Sequence, residues 1–423
     1  MNRVTPVPGS IPGMAASGGV VLVLNSGSSS VKFALLAPDT GERLLSGLAE
    51  KVGTAQAVLR IRRPAGGDAV SEPIPEGSYQ AVIARVLDQL AGAGADGAGA
   101  DGAAGRQIIG AGHRVVHGGA RFSDSVLVDD EVIAAIREFA RIAPLHNPAD
   151  LAGIEAVSAI RPGLPQVAVF DTAFHQTMAA PAFRYAVPEE WYTRYGVRRY
   201  GFHGTSHRFV SARAAALLGR PPGELRLVTA HLGNGCSAAA IRDGVSVDTT
   251  MGMTPMEGLV MGTRSGDVDP GLFGYLASQT GQTVEELTEV LNNRSGLLGL
   301  SGASNDMRTV EAAAERGDER AQLALDVFVH RLARGIAGLV PSLGRLDALV
   351  FTGGIGENSP LVRGLVLRRL EFLGLTEDPE ANAGHGRSTG GRISRPGPVQ
   401  ALVVPTDEEL MIARDTARII AAP

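Results

Sequence analysis

The stretch V-L-V-L-N-S-G-S-S-S-V-K-F, residues Val21 to Phe33, carries the pattern that decides the fold. Its four apolar residues predict a buried strand, a Gly/Ser-rich turn follows, and apolar alternation then resumes. Gly27 permits backbone geometry that most residues resist, and the small serines let an anion approach the backbone amides. Asn25 places a polar group at the end of the strand, and Lys32 places a cation just beyond the turn. The stretch therefore predicts either a phosphate-binding hairpin or an ordinary polar hairpin turn.

The same plan is repeated from Leu225 to Val247, which reads L-R-L-V-T-A-H-L-G-N-G-C-S-A-A-A-I-R-D-G-V-S-V. An apolar strand, a turn rich in Gly and Asn, a second strand, a tight turn and a third strand follow one another. The tight turn is Pro38–Gly41 in the first copy and Arg242–Gly244 in the second. Two such hairpins predict a duplicated domain with a phosphate chain held between the copies.

Composition sets the class of protein. A chain of 423 residues can bury a large core and predicts two domains, and 44% hydrophobic with 20% charged residues is typical of a globular protein. The net charge of −5 argues against a nucleic-acid-binding coat. No apolar run approaches the roughly 20 residues that span a bilayer, so no membrane partner is expected. The N-terminal residues 1–18 are broken by prolines and predict a disordered extension rather than a signal peptide.

Cys236 is the single cysteine, which excludes an intrachain disulfide and fits a reducing, cytoplasmic compartment. Its position in the second Gly-rich turn suggests a nucleophile, but no neighbour that would lower its pKa is visible, so a packing role is favoured. Lys32 and Lys51 are the only lysines, so a lysine beside the first turn stands out against the arginines used elsewhere.

Periodicity and turn residues predict the remaining elements. Asn147 is expected to cap a helix that starts at Pro148, and Ala91–Gly105 is expected to be a flexible surface loop. The other predicted elements are strands up to about residue 80 with a turn at 64–67, helices over Gln80–Leu90 and Glu131–Ala143, strands over Ile108–Val116 and Val167–Phe170, a helix after Gly201–His207, helices from about Gly271 to Leu343 with a Thr283/Glu286 capping box, strands over Asp347–Phe351 and Gln400–Val404, and a last helix with a Thr406/Glu409 capping box that packs back on the first domain.

A change to aromatic and basic residues after Phe174 predicts a domain boundary near residue 173. The expected domains are 19–173 with 404–423, and 174–403. The two domains are expected to close on nucleotide binding, with hinges near residues 173 and 404.

Nine motifs along residues 20–420 make the chain recognisable: L-N-S-G-S-S-S-V-K-F, H-R-V-V-H-G-G, A-P-L-H-N-P, F-D-T-A-F-H, Y-G-F-H-G-T-S-H, H-L-G-N-G, G-T-R-S-G-D, F-T-G-G-I-G-E-N and P-T-D-E-E. They resemble the acetate and propionate kinase family of the actin, heat-shock protein and sugar-kinase superfamily. The resemblance implies an α/β fold of two duplicated ribonuclease H-like (actin-like ATPase) domains with a nucleotide cleft between them. It also implies a homodimer that transfers a phosphoryl group reversibly between ATP and acetate with Mg²⁺, or possible Mn²⁺, to give acetyl phosphate and ADP.

The resemblance also assigns residues to ligands. Asn25 and Glu408 would lie near the metal, and Lys32 by the phosphates. Nucleotide binding would fall to His231, Leu232, Gly233, Asn234, Gly235, Asp306, Met307, Arg308, Gly354, Ile355, Gly356, Glu357 and Asn358. Two departures from the family pattern are Met307, where an aromatic residue is frequent, and Asp407, which adds a carboxylate where the family has T-N-E-E.

The chemistry can be argued from the substrate. Acetate is already anionic at neutral pH, so its attack on ATP needs no general base, and the obstacle is repulsion between anions. Arg114 and Arg264 are suited to neutralise that charge, although each could instead form a surface salt bridge. His203 would donate to the transferring group, as the resemblance implies, and Asp171 would hold an arginine or the Mg²⁺ and orient acetate.

A pocket for the acetate methyl is expected from Val116, Leu145, Phe202 and Pro255, with core packing as the alternative. A valine at position 116 should favour acetate over propionate, but one methylene is worth only about 1–3 kcal/mol. The remaining histidines near these motifs are His146, expected near the substrate, and His175 and His207, expected to be structural.

Three other functions stay open at this point. The nearest is a propionate kinase. A sugar kinase would need a base and a larger polar pocket, and an ATP-dependent scaffold would bind ATP without making an acyl phosphate.

Overall fold

The computed structural model describes residues 18–63, 70–95, 106–144 and 146–422, with only the backbone of 90–95. The described chain forms two compact units: one ends at Ala173 and resumes at Asp407, and the other spans Phe174–Thr406. Four sequence-based predictions lie wholly or mostly outside the described residues, namely the disordered extension 1–18, the turn at 64–67, segment 96–105 of the Ala/Gly loop, and Leu145. Within the described chain no helix is both long and apolar enough to cross a membrane.

An eight-stranded sheet with the order β5-β4-β3-β2-β1-β6-β8-β7 forms the first unit. β1 pairs antiparallel with β2 and parallel with β6, and β6 pairs parallel with β8. The strands are β1 (Val20–Gly27), β2 (Ser30–Leu36), β3 (Arg43–Glu50), β4 (Ala57–Arg62), β5 (Val70–Ile74), β6 (Ile108–Val115), β7 (Val126–Leu127) and β8 (Gln166–Phe170).

The predicted strand–turn–strand at the start of the chain is confirmed, but its bounds differ. Asn25 does not end the strand, because it pairs with Lys32 and the ladder continues until Gly27 faces Ser30. Gly27 also keeps an ordinary φ, since it is absent from the glycines with positive φ. The turn is therefore as tight as a hairpin turn can be, and both Asn25 and Lys32 are ladder residues.

The first unit contains helices α1 (Tyr79–Ala95), α2 (Asp130–Phe139) and α3 (Asn147–Ile160). The loop predicted from Ala91 is wrong at its start, because α1 continues to Ala95 through a segment in which three of five residues are alanine, a strong helix former.

The predicted Asn147 cap is also wrong. Its buried amide accepts from the His117 backbone N–H at 3.1 Å and donates to the His117 and Ile136 carbonyls, so tertiary contacts occupy the groups that would have capped the helix.

The second unit is built on a five-stranded sheet with the order β11-β10-β9-β12-β13. The predicted Thr283/Glu286 capping box is confirmed. The Gly-rich motif after β12, for which no helix was predicted, forms the short helix α12. The elements are α4 (Ala180–Phe183), α5 (Glu189–Tyr195), α6 (Gly204–Leu218), β9 (Arg226–Leu232), β10 (Cys236–Arg242), β11 (Val245–Thr249), α7 (Gly271–Thr280), α8 (Val284–Asn293), α9 (Gly296–Ser301), α10 (Met307–Glu315), α11 (Glu319–Leu343), β12 (Ala348–Thr352), α12 (Gly353–Asn358), α13 (Pro360–Arg369), α14 (Pro379–Ala383) and β13 (Gln400–Val403).

The two sheets share one core topology. The series β3-β2-β1-β6-β8 in the first unit matches β11-β10-β9-β12-β13 in the second, with two antiparallel pairings followed by two parallel ones in each. The duplication predicted from the two hairpins is thus present in strand order and direction. In each unit the carboxyl ends of three neighbouring parallel strands meet at one edge, where open α/β sheets place functional groups.

The last helix, α15 (Glu408–Ala421), belongs to the first unit, as predicted. Ile412 and Ala413 pack in one cluster with Val21 and Val23 of β1. The approach is close, because a Cβ atom on Gly112 would lie 2.3 Å from Thr416 Oγ1.

The capping box predicted for α15 from Thr406 and Glu409 is wrong. Asp407 caps the helix instead, with its carboxylate accepting from the Leu410 backbone N–H at 3.0 Å. The Thr406 hydroxyl is engaged elsewhere, in a 2.8 Å hydrogen bond with Ser206 Oγ. A shift of one residue at the start of the helix thus gives the extra carboxylate, Asp407, a structural role.

Candidate active site

A bidentate ion pair lies at the strand ends of the first unit. Arg114 near the end of β6 donates from Nε to Asp171 Oδ1 at 3.1 Å and from Nη2 to Oδ2 at 2.5 Å. Register explains the meeting, because Val115 pairs with Phe170 and the Asp171 N–H donates to the Val115 carbonyl at 2.9 Å. Arg114 Nη1 also donates to Asn25 Oδ1 at 3.3 Å. Residues predicted from three separate motifs therefore lie together.

The charges around Arg114 hold it fully protonated. Burial opposes its charge, but the carboxylates of Asp171 and Glu408 outweigh that effect and raise the pKa of Arg114 above its ordinary value. The Asp171 side chain is only 1% exposed and that of Arg114 23%, so the pair is fixed on the acid side and partly open on the arginine side. Of the two roles expected for Asp171, the structure shows that of holding an arginine.

The residues assigned to the metal offer oxygen atoms of the kind Mg²⁺ prefers. Glu408 Oε1 is buried and has no hydrogen-bond partner among the described residues, and Asn25 offers an amide oxygen. Among those residues no group of three His, Cys, Asp or Glu side chains converges on a common point. This fits Mg²⁺, because the ion is usually held by one or two carboxylates with substrate phosphates and water completing its shell.

Lys32, predicted to lie by the phosphates, and Arg43, which was not predicted, both act on the acidic residues at the start of α15. Lys32 is exposed on β2, and its charge acts on the Glu409 carboxylate. Arg43 lies 2.9 Å from Glu409 and 3.4 Å from Asp407. Burial raises the pKa of Glu409 above its usual range, and the two cations partly offset that effect.

Val116 is positioned by an acid that the sequence analysis missed. Its backbone N–H donates to Asp150 Oδ2 at 3.0 Å, and both residues are buried. Burial raises the pKa of Asp150 to about 8. His146, expected near the substrate, is the residue before α3 and is partly exposed. The missed signal was the acid in N-P-A-D-L, which interrupts an otherwise apolar helix face.

The Gly233–Gly235 turn of the second unit is held from several sides. The Gly233 N–H donates to the Gly235 carbonyl at 3.0 Å, and the Asn234 carbonyl accepts from the Gly262 N–H at 2.9 Å. Asn305 donates to Asn234 Oδ1 at 3.1 Å, and a Cβ atom on Gly262 would lie 2.1 Å from that same oxygen. The turn is therefore a rigid element presenting small residues.

His203 and Arg264 converge beside this turn. A Cβ atom on Gly235 would lie 3.3 Å from His203 Nε2 and 3.5 Å from Arg264 Nη1. His203 has a left-handed backbone with φ 55° immediately before α6, and its ring stacks on His231 with centroids 4.3 Å apart. Arg264 donates to the Pro255 carbonyl at 3.0 Å, which brings Pro255 to the same place. Two predicted catalytic groups thus share one small space in the second unit.

The remaining histidines of this region are buried in hydrogen-bonded positions. His175 lies between Ser246 Oγ at 2.8 Å and the Phe202 carbonyl at 2.9 Å, and burial lowers its pKa to about 4. Burial also lowers the pKa of His207 well below its ordinary value. Both are neutral and lie in the core, as expected for structural residues. Phe202 is itself buried, and its carbonyl is the acceptor for His175.

Cys236 packs beneath the turn. Its thiol is buried and donates to the Gly233 carbonyl at 3.3 Å, and burial raises its pKa to about 12. This agrees with the packing role and argues against a nucleophile.

The other predicted nucleotide-binding residues divide by exposure. Leu232, Met307 and Gly356 are buried. The Glu357 carboxylate accepts from the Gly353 N–H at 2.9 Å and from the Thr406 N–H at 3.2 Å, so it ties the start of α12 in place. The residues that are exposed or partly exposed are His231, Gly233, Asn234, Gly235, Gly354, Ile355, Glu357, Asn358, Asp306 and Arg308. Asp306 caps α10 and pairs with Arg308, whose hydrogen bond lowers the pKa of the acid.

A duplicated β-sheet core with arginine, acid and amide groups at the strand ends defines a phosphotransferase of the actin-like ATPase fold. The chain belongs to the acetokinase family, whose model matches residues 20–414. It is 57% identical over 399 residues to an acetate kinase from Deinococcus radiodurans, covering 94% of this chain and 98% of that protein.

Solved structures give the same result. A propionate kinase from Francisella tularensis is 43% identical with a TM-score of 0.87, covering 95% of this chain and 100% of that one. An acetate kinase from Porphyromonas gingivalis is 44% identical with a TM-score of 0.87, covering 95% and 99%. These likenesses extend over nearly the whole chain, so the predicted family and fold are confirmed.

Proposed function

We propose that the protein is an acetate kinase, which transfers the γ-phosphoryl group of ATP directly to a carboxylate oxygen of acetate to give acetyl phosphate and ADP, and catalyses the reverse reaction. The observation that carries this proposal is the bidentate pair between the partly exposed Arg114 and the buried Asp171 at the strand ends of the first unit. The high identity to proteins named acetate kinase supports it over the whole chain.

In the first unit, Arg114 binds the acceptor carboxylate. Asp171 occupies two of the five guanidinium donors and Asn25 a third, so the guanidinium is held in one orientation with two N–H donors left for a carboxylate. Acetate is ionised at neutral pH, so Asp171 has no proton to abstract and acts by orienting Arg114. This is an electrostatic site for an anion that would otherwise be repelled by a triphosphate.

In the second unit, Arg264 and His203 donate to the transferring phosphoryl group. Its three equatorial oxygens carry spread-out negative charge in the transition state, and fixed donors stabilise that charge without moving. The rigid Gly233–Gly235 turn offers backbone amides to the nucleotide phosphates, and α12 with Asp306 and Arg308 lines the nucleotide. We assign Lys32 to the phosphates as well.

Asn25 and Glu408 would hold Mg²⁺. When bound, the ion neutralises charge on the phosphate oxygens and orients them. The support is the buried oxygen of Glu408, which needs a cation or a donor that the described residues do not provide.

Val116 is the residue we assign to acid selection. It is buried and fixed through its N–H, so its side chain sets a firm limit on acceptor size. Propionate kinase is the second candidate, favoured by the 43% identity to a protein of that name. A panel of formate, acetate, propionate and butyrate with ATP, trapped with hydroxylamine, separates the candidates. We expect acetate to have the highest kcat/KM; a preference for propionate would overturn the assignment, and ATP binding without any hydroxamate would indicate a scaffold.

We further propose a cytoplasmic homodimer that needs neither nucleic acid nor a membrane. The single, buried cysteine and the net charge of −5 support the compartment and the absence of nucleic acid. Sedimentation of the purified protein tests the dimer, and a monomeric species with full activity would exclude it as a requirement.

A further inference from the structure

A continuous chain of side chains leads from the core of the second unit to His203. Thr229 Oγ1 lies 2.7 Å from His207 Nδ1, and His207 Nε2 lies 2.8 Å from Ser237 Oγ. The same Ser237 oxygen lies 2.9 Å from His203 Nδ1. Thr229, His207 and Ser237 are all fully buried, so these hydrogen bonds are shielded from water.

The secondary structure explains why these four groups meet. Ser237 of β10 pairs with His231 of β9, and Thr229 lies two residues before His231, so both hydroxyls are on one face of the sheet. His203 and His207 are four residues apart across the start of α6 and therefore lie on one side of that helix.

We infer that Thr229 and Ser237 are positioning residues that fix the tautomer of His203, so that its proton is carried on Nε2, the atom beside Gly235 and Arg264. The inference rests on the proposed function, in which His203 donates to the transferring phosphoryl group. It assigns two buried hydroxyl groups to that site and states which atom is the donor in each hydrogen bond between them and the histidines.

The direction follows from counting protons. Each hydroxyl can donate once, and a neutral imidazole has one N–H and one bare nitrogen. In one arrangement Thr229 donates to His207 Nδ1, His207 Nε2 donates to Ser237, and Ser237 donates to His203 Nδ1. Each N–H and O–H group of this hydrogen-bond series then has an acceptor. Because His203 Nδ1 accepts from Ser237, a neutral His203 carries its proton on Nε2.

The reverse arrangement leaves a buried donor unsatisfied. If His203 Nδ1 carried the proton, it would donate to Ser237, Ser237 to His207, and His207 to Thr229. The Thr229 hydroxyl would then have no acceptor among the described residues, although it is 0% exposed. An unmade buried hydrogen bond is costly, so the first arrangement is favoured. Burial also keeps His207 neutral, so its ring has only one N–H and can donate only one of its two hydrogen bonds.

The test reads the tautomer directly. In protein labelled with ¹⁵N-histidine, two-bond ¹⁵N–¹H spectra distinguish a ring protonated at Nε2 from one protonated at Nδ1. We expect His203 to be the Nε2–H form in the wild-type protein at pH 8. Ser237→Ala removes its donor, and we expect the spectrum of His203 to shift toward a mixture of the two forms.

Activity supplies the second readout. A missing transition-state donor costs about 10²–10³ in kcat, so a partly populated wrong tautomer in Ser237→Ala should lower kcat about 10- to 100-fold. KM for acetate and ATP should change less than 3-fold, because ground-state binding does not use this proton.

Thr229→Val is the second variant, since it keeps the shape and removes only the first donor. We expect a mixed His203 tautomer and a smaller loss of kcat, both restored by Thr229→Ser. Thr249→Val is the matched control, because it removes an equally buried threonine hydroxyl that donates to the Ala238 carbonyl. It should leave the His203 spectrum and kcat unchanged.

Two results would overturn the inference: an Nδ1–H form of His203 in the wild-type protein, or an unchanged tautomer and kcat in Ser237→Ala. Neither depends on which acid is the substrate. If the wild-type protein shows the Nε2–H form but makes no acyl phosphate, the proposed function fails and the hydrogen-bond chain stands.

Discussion

The two units share one core topology and differ in how they handle charge at its strand ends. In the first unit, β6 and β8 end in the Arg114–Asp171 ion pair, and the Glu408 carboxylate, whose Oε1 is buried, acts on the same arginine. In the second, the equivalent strands β12 and β13 lead to a short helix and to an irregular segment. In that unit His203 and His207 hydrogen-bond to the hydroxyls of Ser237 and Thr229, and Arg264 lies with His203 beside the Gly233–Gly235 turn.

This difference shows what a duplicated scaffold fixes and what it leaves open. Strand order and register bring the same backbone positions together in both units. The side chains then specialise: we propose that the first unit binds the acceptor with an arginine paired to an acid, and that the second stabilises developing charge with Arg264 and a histidine held by neutral hydroxyls.

The ion pair of the first unit should be the most sensitive feature. Arg114→Ala removes the cation that we assign to the acceptor and takes the bidentate partner away from the buried Asp171. We expect kcat/KM for acetate to fall about 10³-fold or more, with a loss of about 3 kcal/mol in the free energy of unfolding. Acetyl phosphate assays and urea titration measure the two effects.

Arg137→Ala is the control, because its pair with Glu155 lies at the surface with the arginine 62% exposed. It should change neither quantity measurably. Turnover by Arg114→Ala within a few-fold of wild type would remove the distinction between the two units.

The second unit should instead be sensitive to geometry. In Gly235→Ala the new methyl would lie 3.3 Å from His203 Nε2, so that ring must shift by a few tenths of an ångström, whereas its 3.5 Å distance from Arg264 Nη1 is an ordinary van der Waals contact. We expect kcat to fall about 10-fold with the fold intact, since small displacements of catalytic groups are costly. Gly223→Ala, which meets nothing within 4 Å, is the matched control. Equal kcat values for the two variants would mean that His203 and Arg264 do not act at this point.

Acid selection should depend on the first unit through Val116. Val116→Ala removes two methyl groups from a buried, fixed residue, and we expect the kcat/KM ratio of propionate to acetate to rise about 10-fold. Ile133→Ala provides a comparison at a partly buried apolar residue of the α2 cluster and should leave the ratio unchanged. An unaltered ratio in Val116→Ala would locate acid selection elsewhere.

The sequence was sufficient for features that depend on local pattern and on chain-wide motifs. Both hairpins and the duplication were predicted, an arginine was one of the two partners expected for Asp171, and Arg264 and His203 were each expected to act on the transferring phosphoryl group. The N-cap of α15 and the helical conformation of Gly353–Asn358 were not predicted. In α15 two neighbouring polar residues, Thr406 and Asp407, could each cap the helix, and in Gly353–Asn358 the glycines favour no single conformation. Tertiary contacts decide both cases.

The unpredicted parts of the site are buried side-chain partnerships. Asn147 resembles a helix cap in sequence, but its amide is used by the His117 backbone 30 residues away. Asp150, Thr229 and Ser237 carry no motif, and their roles depend on register between elements distant in the chain. Periodicity reports which face of an element is buried and does not report which polar atom meets which.

Asp150 is the exception to the contrast between charged and neutral units, because it is an acid of the first unit that folds largely neutral. Burial raises its pKa from 3.8 to about 8, so between these values the folded state binds a proton that the unfolded state releases. Stability from this group is therefore present at low pH and is lost as pH rises toward 8. Asp150→Asn keeps an acceptor for the Val116 N–H but cannot ionise. We expect the free energy of unfolding of the wild type, relative to Asp150→Asn, to fall by about 1 kcal/mol or more between pH 5 and pH 8.5, measured by urea titration at both values. A difference that stays constant with pH would show that Asp150 is ionised in the fold, and the first unit would then rely on charge throughout.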